Sequence, residues 1–272
     1  MSTIVLSAGV RSNLLQLQQT SDLITSTQTK LATGKRVNSA LDNPNNYFTA
    51  QGLDNRASDL SNLLDSMSTA INTIQAANNG ITAITKLVQS AQSLVSQAQQ
   101  TSDTAVRASL ASQFDSIRTQ IDKLAADSGF NGINLLNGND LTVTMNESGS
   151  SSVTVKGVTD TTNGTAITIN GATNNWAAGT DISAASTQLT SALTALRSQA
   201  QTLGASLSTV QIRQDFTKAT INTLQSGSDA LTLADSNQEG ANLLALQTRQ
   251  QLSTTALSLA SQADQNVLRL FQ

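Results

Sequence analysis

Residues 63–98 read LLDSMSTAINTIQAANNGITAITKLVQSAQSLVSQA, and one track through them is apolar at every step: Leu63, Met67, Ala70, Ile74, Ala77, Ile81, Ile84, Val88, Ala91, Val95 and Ala98. The steps alternate between four and three residues, the repeat of a coiled-coil face. The chain's single proline, Pro44, lies upstream. The pattern therefore predicts one helix from about Phe48 to Gln100, roughly 75 Å long at about 1.5 Å per residue. That exceeds an ordinary globular helix. Alanine alternating with larger residues predicts close approach of partner helices along a rod.

Before this helix, Val10, Leu14, Leu17, Ile24 and Leu31 form a shorter heptad seam, with Ser21 and Gln28 in its two polar slots. The seam stops at Thr33-Gly34, where glycine suits a helix C-cap. The Asn-Pro-Asn-Asn cluster at 43–46 reads as a turn, since proline disfavours helix in the residue before it. After the long helix, Leu110, Phe114, Ile117, Ile121 and Leu124 predict a helix over roughly 104–127, ending at Asp127-Ser128-Gly129. Short alternating runs follow at 141–145, 153–158 and 165–169, with turns at Gly149 and Asn163-Gly164, and predict a small antiparallel β patch. Trp176 is expected to anchor that patch against a helix. Helix returns near Ile182 on a seam from Leu189 to Leu224 and breaks at Ser226-Gly227-Ser228. A last helix, about 229–270, carries Ala241, Ala245, Leu252, Ala256, Leu259, Ala263, Val267 and Leu270.

Composition fits slender layers rather than a thick globule. Aromatic residues make up 3% of the chain and charged residues 12%. There is no Cys and no His, which excludes disulfides, thiolate chemistry, the Ser/His/Asp arrangement and the HExxH metal helix. With no paired carboxylates placed for acid–base work, the chain reads as a non-enzyme that needs no cofactor or metal. The net charge is −3 and the basic residues are scattered, so nucleic acid is not an expected partner. No apolar run approaches the length of a membrane span, and the first residues lack the pattern of a secretory signal.

The expected fold is mainly α, a long antiparallel helical hairpin with terminal coiled-coil helices and a small β-hairpin insert. Residues 1–34 and 229–272 form the terminal coiled-coil segments, 35–47 a connector loop, 48–139 and 181–228 the helical rod, and 140–180 the insert. Neither end can satisfy its own apolar stripe, because isolated helices rich in Ser, Thr and Asn are marginal in water. Both ends are therefore expected to stay disordered in the monomer and to fold against other copies. Head-to-tail contacts of that kind leave an assembly open to growth. Within the last seam, Arg249 is expected to hydrogen-bond between subunits.

Three segments carry a family resemblance. LATGKRVNSALDNP at 31–44, FNGINLLNG at 130–138 and ALQTRQQLSTTALSLASQADQNVLRLF at 245–271 resemble, in family order, stretches of bacterial flagellins. The short insert is similar to that of short α-proteobacterial members lacking large outer domains. The resemblance implies a subunit exported unfolded without a cleaved signal, polymerised outside the cell, and handled by an export chaperone, a filament cap and hook-junction proteins. It makes Gly34, Lys35, Arg36, Asn38, Asp42, Pro44 and Tyr47 the connector between inner and outer helical layers. It also aligns Thr82, Ile84 and Thr85 with charged residues that a Toll-like receptor reads in other flagellins, which implies a poor agonist. Two other readings are a hook–filament junction protein, which resembles flagellin at both ends without forming long filaments, and a secreted helical effector or adhesin with ends folded in the monomer.

Overall fold

The computed structural model describes residues 8–270, side chains at 264 and 267–270 excepted. Five long helices dominate: α1 (Ala8–Thr33), α2 (Pro44–Gln100), α3 (Thr104–Asp127), α4 (Gly179–Thr232) and α5 (Ser236–Leu270). Between α3 and α4 lie strands β1 (Leu141–Thr144) and β2 (Ser152–Val155). The chain divides into two compact units: Arg56–Asn222, and the remainder up to Asn55 and from Thr223 onward.

Serine and threonine are poor helix formers because their hydroxyls compete for backbone groups. Here that competition is turned inward. Hydroxyl after hydroxyl donates to the carbonyl four residues back, as in Thr20 to Gln16 (2.8 Å), Thr85 to Ile81 (2.7 Å), Thr202 to Ser198 (3.0 Å) and Thr220 to Phe216 (2.9 Å).

In the Arg56–Asn222 unit the α2 track is the centre of the core. From Met67 to Ala98 all ten of its positions are at most 2% exposed, and Leu63 packs at the edge. Phe114, Ile121 and Ala125 of α3 and Ile182, Leu189, Leu196 and Val210 of α4 join the same cluster. The small residues let side chains of neighbouring elements come close. A Cβ added at Gly80 would stand 2.2 Å from Ser128 Oγ and 2.7 Å from both Ser128 Cβ and Leu136 Cδ1.

The FNGINLLNG stretch folds as a capping device. Asn134 Nδ2 donates to Ala125 O and Ala126 O at 2.8 Å each, satisfying the last carbonyls of α3, while its Oδ1 accepts from Leu136 N at 2.9 Å. That fixes Leu135 and Leu136 in the core. β1 and β2 then pair antiparallel, with Leu141 opposite Val155 and Thr144 opposite Ser152, about a turn in which Gly149 takes φ +71°.

Three expectations about elements need correction. The run at 165–169 is no strand; an isolated bridge joins Asn163 and Thr168. Ile167 and Ile169 are buried as alternation predicts, but Ile169 N donates back to Thr162 O at 2.9 Å, and helix side chains take other backbone groups of the segment. Arg118 Nε donates to Ile169 O (2.6 Å), Asp122 accepts from Thr162 N (2.6 Å), and Asp115 accepts from Ala172 N (3.1 Å). Second, Ser226-Gly227-Ser228 does not break α4. A Cβ at Gly227 would lie 3.3 Å from Leu53 Cδ1, so the glycine permits close packing at a helix cost of about 1 kcal/mol, and Thr232 Oγ1 donates to Ser228 O at 2.9 Å. Third, Pro44 opens α2 instead of standing in a turn before it. Proline suits the first helical position, where an N–H would lack a partner anyway, and Asn43 Oδ1 caps Asn46 N at 3.0 Å.

Trp176 does anchor the insert. It is fully buried against Phe114 of α3, ring centroids 5.0 Å apart. The turn bearing it is left-handed, with φ of 48°, 50° and 57° at Asn174, Asn175 and Trp176.

Two substitutions test this packing by thermal and chemical denaturation. Gly80→Ala should lower stability by about 1–3 kcal/mol through overpacking, despite alanine's better helix propensity. Arg118→Ala leaves the Ile169 carbonyl without its donor and should cost about 1–3 kcal/mol, with amide protection lost over residues 162–172.

Candidate assembly surface

The other unit is organised by α1 and α5, which lie side by side and run antiparallel: Lys30 pairs with Glu239 at 3.8 Å. On α1 the covered positions are Val10, Leu17, Thr20, Ile24, Thr27 and Leu31, of which Val10, Thr20 and Thr27 are buried. Val10, Leu17, Ile24 and Leu31 of the expected seam are covered, but the positions between them are Thr20 and Thr27 rather than Ser21 and Gln28. Leu14 falls off the seam at 40% exposure. On α5 the half-buried positions are Leu243, Leu246, Gln250, Ser253, Leu257 and Ala260, again at steps of three and four.

The expected α5 stripe is a different one. Ala241, Ala245, Ala256 and Ala263 are exposed, Leu252 is 67% exposed and Leu259 62%. The side chains of Val267 and Leu270 lie outside the described residues. The reason for the difference is simple: α5 carries two apolar tracks, and a helix with one partner covers only one of them. Leu244 (67%), and on α1 Leu15 (58%) and Leu23 (51%), add to the uncovered side. Uncovered apolar side chains of this kind make this side of the helix pair the candidate contact face. Arg249 is also exposed, on a groove lined by Leu23, Thr27, Glu239 and Leu246.

The connector is a fixed loop. Gly34 ends α1 with φ +68°, a conformation that favours glycine. The chain then bonds across to the end of α4: Arg36 N donates to Thr232 O (2.8 Å), and Ala234 N to Gly34 O (3.0 Å). The Arg36 guanidinium donates to Ala230 O and Leu231 O at 3.3 Å each, supplying cationic donors to the last carbonyls of α4. Asn38 Nδ2 donates to Lys35 O (2.9 Å), while the N–H groups of Asn38 and Ser39 both donate to Asp42 Oδ2 at 2.9 Å. Those backbone bonds, Asn38 first, hold the Asp42 carboxyl below the usual carboxylate range. Val37 is buried beneath the loop, whereas Leu41 is 96% exposed. Tyr47 is half-buried with its ring edge-on to Phe48, which is itself 61% exposed. The part played by Arg36 was not legible in sequence, where the adjacent Lys35-Arg36 pair signals only charge.

In the Arg56–Asn222 unit the aligned receptor segment divides. Thr82 is exposed and Thr85 half-buried, but Ile84 is 0% exposed, a core residue of the α2 track that presents nothing to a partner. Among the described residues no group of His, Cys, Asp and Glu fit for a metal ion occurs, and no helix is long and apolar enough to cross a membrane.

Comparison with known proteins agrees with this arrangement. Residues 3–140 match the family model for the bacterial flagellin N-terminal helical region, and residues 186–271 that for the C-terminal helical region. The chain is 38% identical over 166 residues to flagellin FljN of Caulobacter vibrioides, covering 60% of this chain and 59% of that protein. It is 41% identical over 73 residues to flagellin C of Rhizobium meliloti, covering 27% of this chain and 23% of that one. The matched stretches therefore span less than two thirds of these relatives. A crystal structure of Bacillus cereus flagellin aligns with TM-score 0.47 at 20% identity over 57% of this chain and 88% of that one, too slight a likeness to bear on the fold. On the match of both helical regions, the chain belongs to the bacterial flagellin family.

Proposed function

We propose that this chain is a structural subunit, without catalytic activity, that polymerises outside the cell into the bacterial flagellar filament that drives swimming. The observation that carries the reading is the pair of terminal helices joined along one thin seam, with a second apolar stripe on the outside. Such a seam, containing Thr20, Thr27, Gln250 and Ser253, gives little burial in return for ordering two long segments. In the dilute monomer both ends therefore open readily, and in the polymer Leu252, Leu259 and Leu244 of α5, with Leu15 and Leu23 of α1, are covered by neighbouring copies. Arg249 supplies hydrogen bonds among them. An export chaperone would cover the same stripe before assembly, and a cap and hook-junction proteins would meet it at the two ends of the filament.

The test is elongation from sheared filament seeds. Leu252→Asp combined with Leu259→Asp should abolish growth while the fluorescence of buried Trp176 stays native. Growth at the unaltered rate would exclude the stripe as the contact, and an unaltered chain that never elongates would favour a junction protein. In a receptor reporter assay the monomer is expected to activate weakly, owing to Thr82 and Thr85; full activation at nanomolar monomer would remove that reading.

A further inference from the structure

Asp160 lies on the return segment of the insert, its N–H donating to Leu136 O at 2.9 Å, and it is 0% exposed. Gln199 of α4 donates from Nε2 to Asp160 Oδ1 at 2.8 Å. Two buried oxygens of the same pair are left over, Asp160 Oδ2 and Gln199 Oε1, and neither has a protein donor. With Asp160 ionised both would be acceptors only, an arrangement that leaves two buried polar atoms and a charge unsatisfied. A carboxylic acid and a primary amide have complementary edges, each with one donor and one acceptor. A single proton on Oδ2 converts both orphans into a second hydrogen bond, closing a ring with the first.

We propose that the folded chain holds Asp160 as the neutral acid, its Oδ2–H donating to Gln199 Oε1, and that this acid–amide clasp fastens the insert to α4 in a proton-dependent way. The surrounding charges are engaged elsewhere. On α3, Asp122 accepts from Thr162, and Arg118 donates to Ile169 O and Thr162 Oγ1. In the insert Lys156 pairs with Asp140 at 2.7 Å. Arg197 on α4, Lys86 on α2, and Lys123 and Asp127 on α3 are exposed.

Burial pushes the Asp160 carboxyl up from 3.8 to about 6, against the opposing pull of the Gln199 bond. Between those values the folded state keeps a proton that the unfolded chain has lost. Stability from this group is therefore full below about pH 4, falls as pH rises towards 6, and is level beyond. A rise of about two units corresponds to a roughly hundredfold change in the folding constant.

The experiment compares denaturation of the full-length dissociated monomer with that of Asp160→Asn from pH 4 to 8, read by Trp176 fluorescence. Asparagine makes both bonds at any pH. The two proteins should coincide near pH 4, and the variant should become up to about a hundredfold more stable in folding constant by pH 7. A difference constant with pH, or a less stable variant at pH 7, overturns the proposal. Should the variant fail to fold, the carboxyl carbon resonance of Asp160 in the unaltered monomer decides: a midpoint near 6 supports the clasp, one at or below 4 overturns it. Sodium, potassium and magnesium chlorides at matched ionic strength form the last arm. Stabilisation at pH 7 by one cation alone would mean that the two oxygens hold a metal ion instead, and would also overturn it.

Discussion

A helix with a single partner can bury one stripe, and α5 carries two. That mismatch governs the terminal unit. Leu243, Leu246, Leu257 and Ala260 are spent against α1, while Leu244, Leu252 and Leu259, the last two within the expected track, remain on the surface. Among the described residues, α1 is the helix packed along α5. Family membership and the thinness of the α1–α5 seam point the same way, towards copies of the chain as the missing partners.

In the Arg56–Asn222 unit the core is covered, although Ile212 and Phe216 of α4 stay exposed at 66% and 62%. Its central helix buries an unbroken track, and the insert between α3 and α4 is held by side chains rather than by a broad sheet. Asp115, Arg118 and Asp122 on one helix bond three backbone groups of the 162–172 segment, the N–H of Ala172, the carbonyl of Ile169 and the N–H of Thr162. Asn134 closes the end of the same helix. In a chain with few large residues, directed hydrogen bonds replace apolar bulk as the means of fixing irregular backbone.

The core track of the long helix was legible, because ten of the eleven positions from Leu63 to Ala98 lie in the core and the eleventh at its edge. So was the α3 register, the hairpin turn at Gly149 and the cap at Gly34. Four things were not. Periodicity names apolar tracks but not which of two a partner will cover, and for α5 it picked the outer one. Proline and Ser-Gly-Ser signal breaks on average, yet Pro44 occupies the one helical turn that tolerates it, and Gly227 serves close packing against Leu53. Alternation at 165–169 marked burial correctly and pairing wrongly, since long-range donors such as Arg118 leave no local pattern. The Asp160–Gln199 pair joins residues 39 apart in sequence and had no signal at all.

The central claim is that the outer stripe of α5 finds its cover only among sister molecules. Amide hydrogen exchange over residues 236–263, measured on dilute monomer and on assembled filament, tests it most directly. Exchange is expected within seconds to minutes in the monomer, with protection by several orders of magnitude in the filament. Equal, strong protection in the monomer at a concentration where it is shown to be single would contradict it.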